Sequence, residues 1–269
     1  MNFRNVPIHP LLNSVVRSCW ILEGMPVAGS QFRTMADGCP GLIYQPASEG
    51  SFQQNNKQLP ELFIFGQTTR HAEIDLSGKF ATIGLYLYPH ALTSIFGCNP
   101  GELTDSCFNI NLLAKKKGFN LTERLANAGA VEDKVEMISS FLCNQVNTNN
   151  RSPNAAMQFA LEQIIQSSGS VSLKQLQKTL QLSERSFQRN FKQYIGISPM
   201  LFSRICRFQA SLKQLQEAGY NKLSDIAFDN DYADQSHFIR AFKEFAGVSP
   251  NQYQKQTTAV VENLAEIIF

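Results

Sequence analysis

The sequence has no apolar run that approaches the ~20 residues a membrane-spanning helix needs. Its first ten residues, MNFRNVPIHP, lack the apolar core of a signal peptide, so we expect a cytoplasmic protein with no membrane partner. The six cysteines, at positions 19, 39, 98, 107, 143 and 206, include no C-x-x-C pair. In the cytoplasm such a set predicts buried, reduced thiols and neither a disulfide nor a zinc site.

Catalytic signatures are missing as well. The chain contains no G-x-S-x-G, no P-loop and no G-x-G-x-x-G. His9, His71 and His90 are too far apart for a local metal motif such as H-E-x-x-H, and His71-Ala72-Glu73 has no second histidine beside it. A surface or core histidine is the favoured interpretation of His71. The sequence therefore predicts no enzyme, no metal site and no cofactor.

Charge is distributed unevenly along the chain. The formal net charge is only +2, and 17% of the residues are charged. Residues 1–150 contain 11 Lys and Arg against 12 Asp and Glu, whereas residues 151–255 contain 13 against 8. A basic segment attached to a near-neutral one predicts a polyanionic partner for the second half only.

The first half has the pattern of a β-rich domain. Runs 42–44, 62–65 and 81–88 are short, rich in β-branched and aromatic residues, and bounded by Gly, Pro, Asp or Asn. In the last run Ile83, Leu85 and Leu87 alternate with smaller or polar residues, which predicts a strand with one face on a core. Core positions are also expected for the larger aromatics, although some could line an apolar ligand cavity. These aromatics are Trp20, Phe63, Phe65, Tyr86 and Tyr88.

Helical spacing begins after Pro89. Residues 91–96 predict a short helix, and apolar residues three and four apart over 131–146 predict an amphipathic one. The longer helix could pack on its own domain or pair with a second copy of the chain. The polar stretch 147–153, which ends in proline, is the expected domain boundary. The predicted organisation is a β-rich domain over 1–146, a linker over 147–153, a helical domain over 154–255 and a tail over 256–269.

An internal repeat defines the second half. Both copies contain the pattern F-x-R-x-F-K-x3-G-[IV]-S-P, starting at Phe187 and at Phe238. The offset is 50 residues up to Ser186 and Ser236, and it becomes 51 because His237 is one extra residue. Each copy predicts a short helix (173–180, 223–229), a tight turn, and a second helix that is capped by Ser183 or Asp234. Phe187 and Phe191, like their counterparts in the second copy, lie four residues apart and should face inward together.

The opposite face of each second helix is basic and rich in amides. Helix, turn and second helix with such a face form a helix-turn-helix, whose second helix enters the major groove of DNA. Arginine suits guanine and glutamine suits adenine through paired hydrogen bonds, whereas lysine suits phosphates. A long helix over 199–217 can set the two reading helices about one DNA turn apart, ~34 Å. The alternative is a plain helical repeat with two solvated faces.

Residues 155–255 resemble the DNA-binding domain of the AraC/XylS family of bacterial regulators. The resemblance lies in Asp225-Ile226-Ala227-Phe228, in Asp234-Gln235-Ser236-His237-Phe238-Ile239-Arg240-Ala241-Phe242-Lys243, and in Gly247-Val248-Ser249-Pro250-Asn251-Gln252-Tyr253. The motif around Phe187 follows the same family pattern. The resemblance and the basic faces together give a predicted DNA-binding set of Arg185, Ser186, Gln188, Arg189, Lys192, Gln235, Ser236, His237, Arg240 and Lys243.

The sequence departs from the family pattern at the second unit. Asp229, Asp231 and Asp234 lie where a small or glycine-containing turn is usual, and Gln254 stands where a basic residue is common. The three carboxylates could cap helices and solvate the turn, or they could lie near phosphates and weaken this unit. Capping is the favoured interpretation.

The first 145 residues are similar, more loosely, to the β-rich N-terminal domain of one branch of these regulators. The similarity lies in Met35-Ala36-Asp37-Gly38, Leu42-Ile43-Tyr44, Phe65-Gly66-Gln67, Ile83-Gly84-Leu85-Tyr86-Leu87-Tyr88-Pro89 and Gly101-Glu102-Leu103-Thr104-Asp105. It implies a sensing or dimerising domain, a small barrel or sandwich. The expected fold is thus α+β, a β-rich domain followed by an all-α domain with two helix-turn-helix units.

The implied function is sequence-specific transcription regulation on double-stranded DNA. A small-molecule effector in the N-terminal domain is the first alternative, and a domain that only dimerises or binds a protein partner is the second. A homodimer, and RNA polymerase as a partner if the protein is an activator, are further expectations.

Overall fold

The computed structural model describes residues 2–25, 31–46, 50–111, 120–149, 154–217 and 220–256. The chain divides into two compact units. The β-rich unit comprises Met1–Phe32, Cys39–Gly66 and Glu73–Ser152, and the helical unit comprises Arg33–Gly38, Gln67–Ala72 and Pro153–Phe269. A β-rich domain with two sheets followed by a helical domain confirms the predicted fold class. The two short segments in the helical unit come from the part of the chain that the sequence assigned to the β-rich domain.

Ten strands of the described residues form two sheets. In chain order they are β1 (Asn2–Val6), β2 (Val16–Gly24), β3 (Gln31–Thr34), β4 (Gly41–Tyr44), β5 (Ser51–Gln54), β6 (Lys57–Gln58), β7 (Leu62–Phe65), β8 (Ala72–Ser77), β9 (Phe80–Leu87) and β10 (Cys107–Asn109). The larger sheet has the order β1-β2-β9-β4-β7-β10, and all its pairings are antiparallel. The smaller sheet has the order β3-β8-β5-β6. Short 3-10 turns occur at Pro10–Leu12 and Pro100–Glu102.

Strand β9 lies at the centre of the larger sheet and is buried on both faces. Ile83, Leu85 and Leu87 contact the apolar cluster that includes the helices of this unit. On the other face Thr82 and Tyr86 are also buried, at 0% and 7% exposure. The predicted strand with one face on a core is therefore confirmed. Its other face is buried as well, and the ring centres of Trp20 and Phe65 lie 6.1 and 6.4 Å from that of Tyr86 on this face. The expected core positions of Trp20, Phe63 and Tyr86 are confirmed by their burial.

Three helices of the described residues belong to the β-rich unit: α1 (Ala91–Phe96), α2 (Leu121–Asn127) and α3 (Val131–Asn149). The predicted stripe of α3 packs on this unit, since Ile138 and Leu142 are 0% exposed and share a cluster with Leu42 and Ile64. Of the two alternatives for this helix, packing on its own domain is the one the structure supports. Helix α3 continues through Asn149 into the predicted linker, and positions 150–153 of that linker lie outside the described residues.

Seven helices form the described part of the helical unit. They are α4 (Ala155–Gln166), α5 (Leu173–Thr179), α6 (Glu184–Ile195), α7 (Pro199–Gln216), α8 (Leu223–Asp229), α9 (Gln235–Ala246) and α10 (Pro250–Gln256). Phe187, Phe191, Phe238 and Phe242 are each 0% exposed, which confirms their inward orientation. The predicted tail beyond Gln256 lies outside the described residues.

The helix ends are set by side chains that the repeat places at matching positions. Ser183 Oγ accepts the N–H of Ser186 at 3.2 Å, and Asp234 Oδ1 accepts the N–H of His237 at 2.7 Å. Such N-caps contribute about 1 kcal/mol each. Helices α6 and α9 end at Gly196 and Gly247, whose φ angles of 104° and 78° lie in the left-handed region. The predicted caps of the repeat are therefore confirmed.

Within the described residues, no helix has the length and apolarity needed to cross a membrane. All six cysteines lie in the described part of the chain and none of them forms a disulfide; Cys19, Cys39 and Cys206 are buried as expected. Cys107 is exposed, so the prediction of burial is wrong for this thiol. Desolvation by burial raises the pKa of Cys19 to about 11, so this thiol stays protonated and unreactive at neutral pH.

Candidate nucleic-acid interface

Helix α6 presents the first predicted reading surface. Arg185, Gln188, Arg189 and Lys192 are exposed along one side of the helix, opposite the buried phenylalanines. Gln188 Nε2 donates to Glu184 Oε1 at 3.3 Å, an i, i+4 contact on the surface that a base edge can replace. Ser186 is half-buried, and its hydroxyl accepts from Ser183 Oγ at 2.9 Å, so it takes part in the cap of the helix.

Helix α9 presents the second surface. Gln235, Ser236, Arg240 and Lys243 are exposed, whereas His237 is half-buried. The Nδ1 atom of His237 accepts the N–H of Ala233 at 3.3 Å, and its ring meets Tyr232 edge-on at 5.3 Å. With Nδ1 as acceptor, a neutral imidazole carries its proton on Nε2 and has one donor left for a partner. His237 therefore fixes the turn before α9 and can also donate a hydrogen bond.

The cations of both surfaces are not engaged elsewhere in the described part of the chain. No ion pair or hydrogen bond joins the side chains of these five cations to any residue that the structure describes: Arg185, Arg189, Lys192, Arg240 and Lys243. Unpaired exposed cations are available to phosphates and to guanine edges. Lys174 and Lys178, which the sequence analysis did not select, are also exposed on α5, the type of helix that crosses the DNA backbone in this motif.

The carboxylates of the second unit mainly serve local structure. Asp234 caps α9, and Asp229 Oδ2 accepts Gln214 Nε2 at 2.7 Å. Asp231 lies in the turn between α8 and α9 with a φ of 54°, and Gln181 has the same φ at the equivalent turn of the first unit. These contacts support capping for Asp234, whereas the carboxylate of Asp229 bonds to a side chain of α7 and caps no helix in the described part of the chain. Both turns require a left-handed residue, and neither has the glycine that adopts this conformation with least strain.

The two helix-turn-helix units nevertheless differ in charge. Residues 172–195 contain five Lys and Arg and one Glu, whereas residues 222–246 contain three Lys and Arg and five Asp and Glu. Because phosphate attraction follows the local balance of charge, the first unit is the more favourable surface for DNA.

Helix α7 connects the two units and carries arginines that fix neighbouring elements. Arg207 donates to the carbonyl of Gly169 at 3.2 Å and lies 5.9 Å from the ring centre of Tyr232. Arg204 pairs with Glu244 of α9 at 2.6 Å. An 18-residue helix is ~27 Å long, enough to separate two reading helices. From its apolar spacing α7 was predicted only as a spacer; the arginines at positions 204 and 207 of the sequence were the available signal for these contacts.

Two helix-turn-helix units with exposed, unpaired cations on each second helix place this part of the chain in the helix-turn-helix class. Residues 176–256 match a family model described as a helix-turn-helix domain. Residues 4–109 match a model described as a domain of unknown function (DUF6597).

Two curated relatives are similar to part of the chain. An uncharacterized HTH-type transcriptional regulator of Haemophilus influenzae is 33% identical over 86 residues, which are 32% of this chain and 28% of that protein. The HTH-type transcriptional regulator MtrA of Neisseria gonorrhoeae is 32% identical over 75 residues, 28% of this chain and 25% of that protein. The matches thus span about a quarter of the relatives' length. A structure of ToxT from Vibrio cholerae aligns with 88% of this chain and 98% of its own, at 12% identity and a TM-score of 0.47.

Residues 176–256 are thus similar to the helix-turn-helix domains of transcriptional regulators, which confirms the helix-turn-helix part of the resemblance found in the sequence.

Proposed function

We propose that the protein is a transcriptional regulator that binds a specific double-stranded DNA sequence through α6 and α9. The observation that carries this proposal is the repeated surface itself. In each unit an arginine, Arg189 or Arg240, follows the inner phenylalanine by two residues and is exposed without an ion pair. A helix turns 100° per residue, so this position points well away from the core. The two arginines are the proposed base-reading residues.

Replacing either arginine should relax the base preference at one position of the DNA site. Arg189→Ala is expected to weaken specific binding by about 5- to 150-fold, since a bidentate arginine–guanine contact is worth ~1–3 kcal/mol. Arg240→Ala should relax the preference at a base pair about one turn of the DNA away. Its loss of affinity should be smaller, because carboxylates lie near α9. Binding-site selection from random DNA with the wild type and both variants measures the preferences directly.

Lys192→Ala is the matched control on α6. A phosphate contact carries no sequence information, so this variant should keep every base preference and lower the salt slope by about one. If both arginine variants behave like Lys192→Ala, the arginines contact phosphates and the base-reading role is wrong.

The β-rich unit is the proposed sensor, and two buried polar atoms support a small-molecule effector. Trp20 Nε1 and Thr82 Oγ1 have no hydrogen-bond partner among the described residues, although Trp20 is 2% exposed and Thr82 is 0% exposed. Trp20 pairs with Gly84 and Leu22 pairs with Thr82, so both side chains lie on the same face of the sheet. Buried polar atoms without partners carry a desolvation penalty that a bound polar group would remove.

Trp20 is the only tryptophan of the chain and so reports directly on this site. A small metabolite that binds beside it should shift its fluorescence emission and stabilise the unit, by about 2.7 kcal/mol at 100 times the dissociation constant. Screening a metabolite panel by emission and thermal unfolding measures both effects. Thr82→Val preserves volume and should weaken any ligand that bonds to the hydroxyl. If no metabolite alters emission or unfolding, the alternative function stands: a regulator whose first domain dimerises or binds a protein partner.

A further inference from the structure

Two short segments from the first 72 residues of the chain belong to the helical unit, Arg33–Gly38 and Gln67–Ala72. Met35 and Ala36 are part of the apolar core of this unit, with 6% and 0% exposure. The motifs around them resemble those of the sensing domain, and the reading surfaces on α6 and α9 do not include them. Their contacts indicate a role in placing α9.

The backbone of Ala36 joins α7 to the end of α9. Its N–H donates to the carbonyl of Phe245 at 3.2 Å, and its carbonyl accepts from Gln209 Nε2 at 2.5 Å. The last four carbonyls of a helix have no partner within the helix, so Ala36 supplies a donor that α9 itself cannot. Gln209 is 6% exposed, so its amide group depends on a partner inside the unit.

The second segment braces the first. The N–H groups of Asp37 and Gly38 donate to the carbonyl of Thr68 at 3.2 and 2.9 Å, and the Thr68 hydroxyl bonds to the Asp37 carboxylate. The second segment also contacts the end of α9. The ring of His71 lies against Gly247, the residue that ends this helix, and a Cβ atom at Gly247 would lie 2.5 Å from the His71 ring. Both segments therefore reach the C-terminal end of the second reading helix.

Gly38 allows the first segment to lie close to α7. Its φ is 65°, and a Cβ atom there would lie 3.0 Å from the ring of Phe202. The position combines a left-handed backbone with a tight approach, which glycine accommodates and other residues do not. The segment is thus held from three sides, by α7, by the end of α9 and by Thr68.

We propose that Arg33–Gly38 and Gln67–Ala72 form a positioning element for the second reading helix, a role that rests on the proposed function. They hold the C-terminal end of α9 against α7 and so set the angle at which α9 meets DNA. Helix α9 has 12 residues and is ~18 Å long, so a 10° change in its angle moves its far end on the order of 3 Å. Such a shift exceeds the tolerance of a hydrogen bond to a base edge.

The test uses the full chain and two DNA fragments. One carries the site that the wild type selects from random DNA, and the other carries the same site with the half that depends on Arg240 scrambled. Gln209→Leu removes the donor to Ala36, and Thr68→Val removes the hydroxyl bonded to Asp37 at nearly constant volume. Each variant is expected to bind the complete site about 3- to 10-fold more weakly and the scrambled site as tightly as the wild type. Gln166→Leu, at an exposed position of α4, should change neither affinity.

A role in stability alone predicts a different pattern. Affinities measured well below the unfolding temperature of each variant would then stay unchanged, or would fall equally on both fragments. Either result overturns the positioning role. A wild-type chain that selects no DNA sequence would instead contradict the proposed function, so the two failures are distinguishable.

Discussion

Raising the salt concentration from about 50 to about 200 mM should weaken DNA binding by about 1,000-fold. This loss corresponds to a slope near −5 when the logarithm of the association constant is plotted against the logarithm of the salt concentration. This slope corresponds to about six phosphate contacts, each of which releases a counterion from DNA. The source of the contacts is the set of exposed cations on α5, α6 and α9 that have no ion pair in the described part of the chain. Titrations of one selected fragment by fluorescence anisotropy at several salt concentrations give the slope.

Two variants calibrate this slope. Lys178→Ala on α5 should reduce its magnitude by about one if that helix crosses the DNA backbone. Lys213→Ala should leave it unchanged, because Lys213 lies on α7 beside Glu217, at 3.9 Å, and outside both reading surfaces. An affinity that does not vary with salt over this range would contradict the DNA-binding function itself.

Ile138→Asp is expected to unfold the β-rich unit. Ile138 is 0% exposed within a single chain and packs in the cluster that joins α1 and α3 to the larger sheet. The substitution removes the transfer and packing energy of the isoleucine, ~2–5 kcal/mol, and also places a carboxylate where water does not reach. A loss of that size is comparable with the whole stability of a typical domain, ~5–15 kcal/mol. Thermal unfolding followed by circular dichroism and by Trp20 emission measures it.

Asn144→Asp is the control, since it adds the same side chain at an exposed position of the same helix. It should unfold at nearly the wild-type temperature. The dimer alternative for α3 makes the opposite prediction for Ile138→Asp, a folded chain that has become monomeric. Sedimentation of the variant distinguishes that outcome from unfolding.

The helix-turn-helix units were predictable because their determinants are local. Caps, turns and the i, i+4 phenylalanine pairs act within a few residues, and each appears twice at nearly the same offset. The structure therefore reproduces the predicted caps at Ser183 and Asp234, as well as the inward phenylalanines. The predicted reading residues share this local origin, and their roles on DNA stay predictions.

Non-local packing limited what could be predicted for the first half. Alternation in β9 showed which residues share a face, but it could not show that both faces are buried. In the same way the apolar stripe of α3 specified an amphipathic helix and left its partner open. Periodicity along one helix or strand shows which of its residues share a face. Whether that face is buried depends on the distant parts of the chain that pack against it.

The sequence by itself determined the helical repeat, the position of every cation on its second helices and the α+β division of the chain, because each follows from short-range spacing. Only the tertiary structure decided that α3 packs on its own unit and that Ala36 bridges α7 and α9. The second of these joins residues 173 positions apart in the chain. Hydrogen bonds over such separations depend on how the whole chain closes on itself, and the pattern of neighbouring residues contains no trace of them.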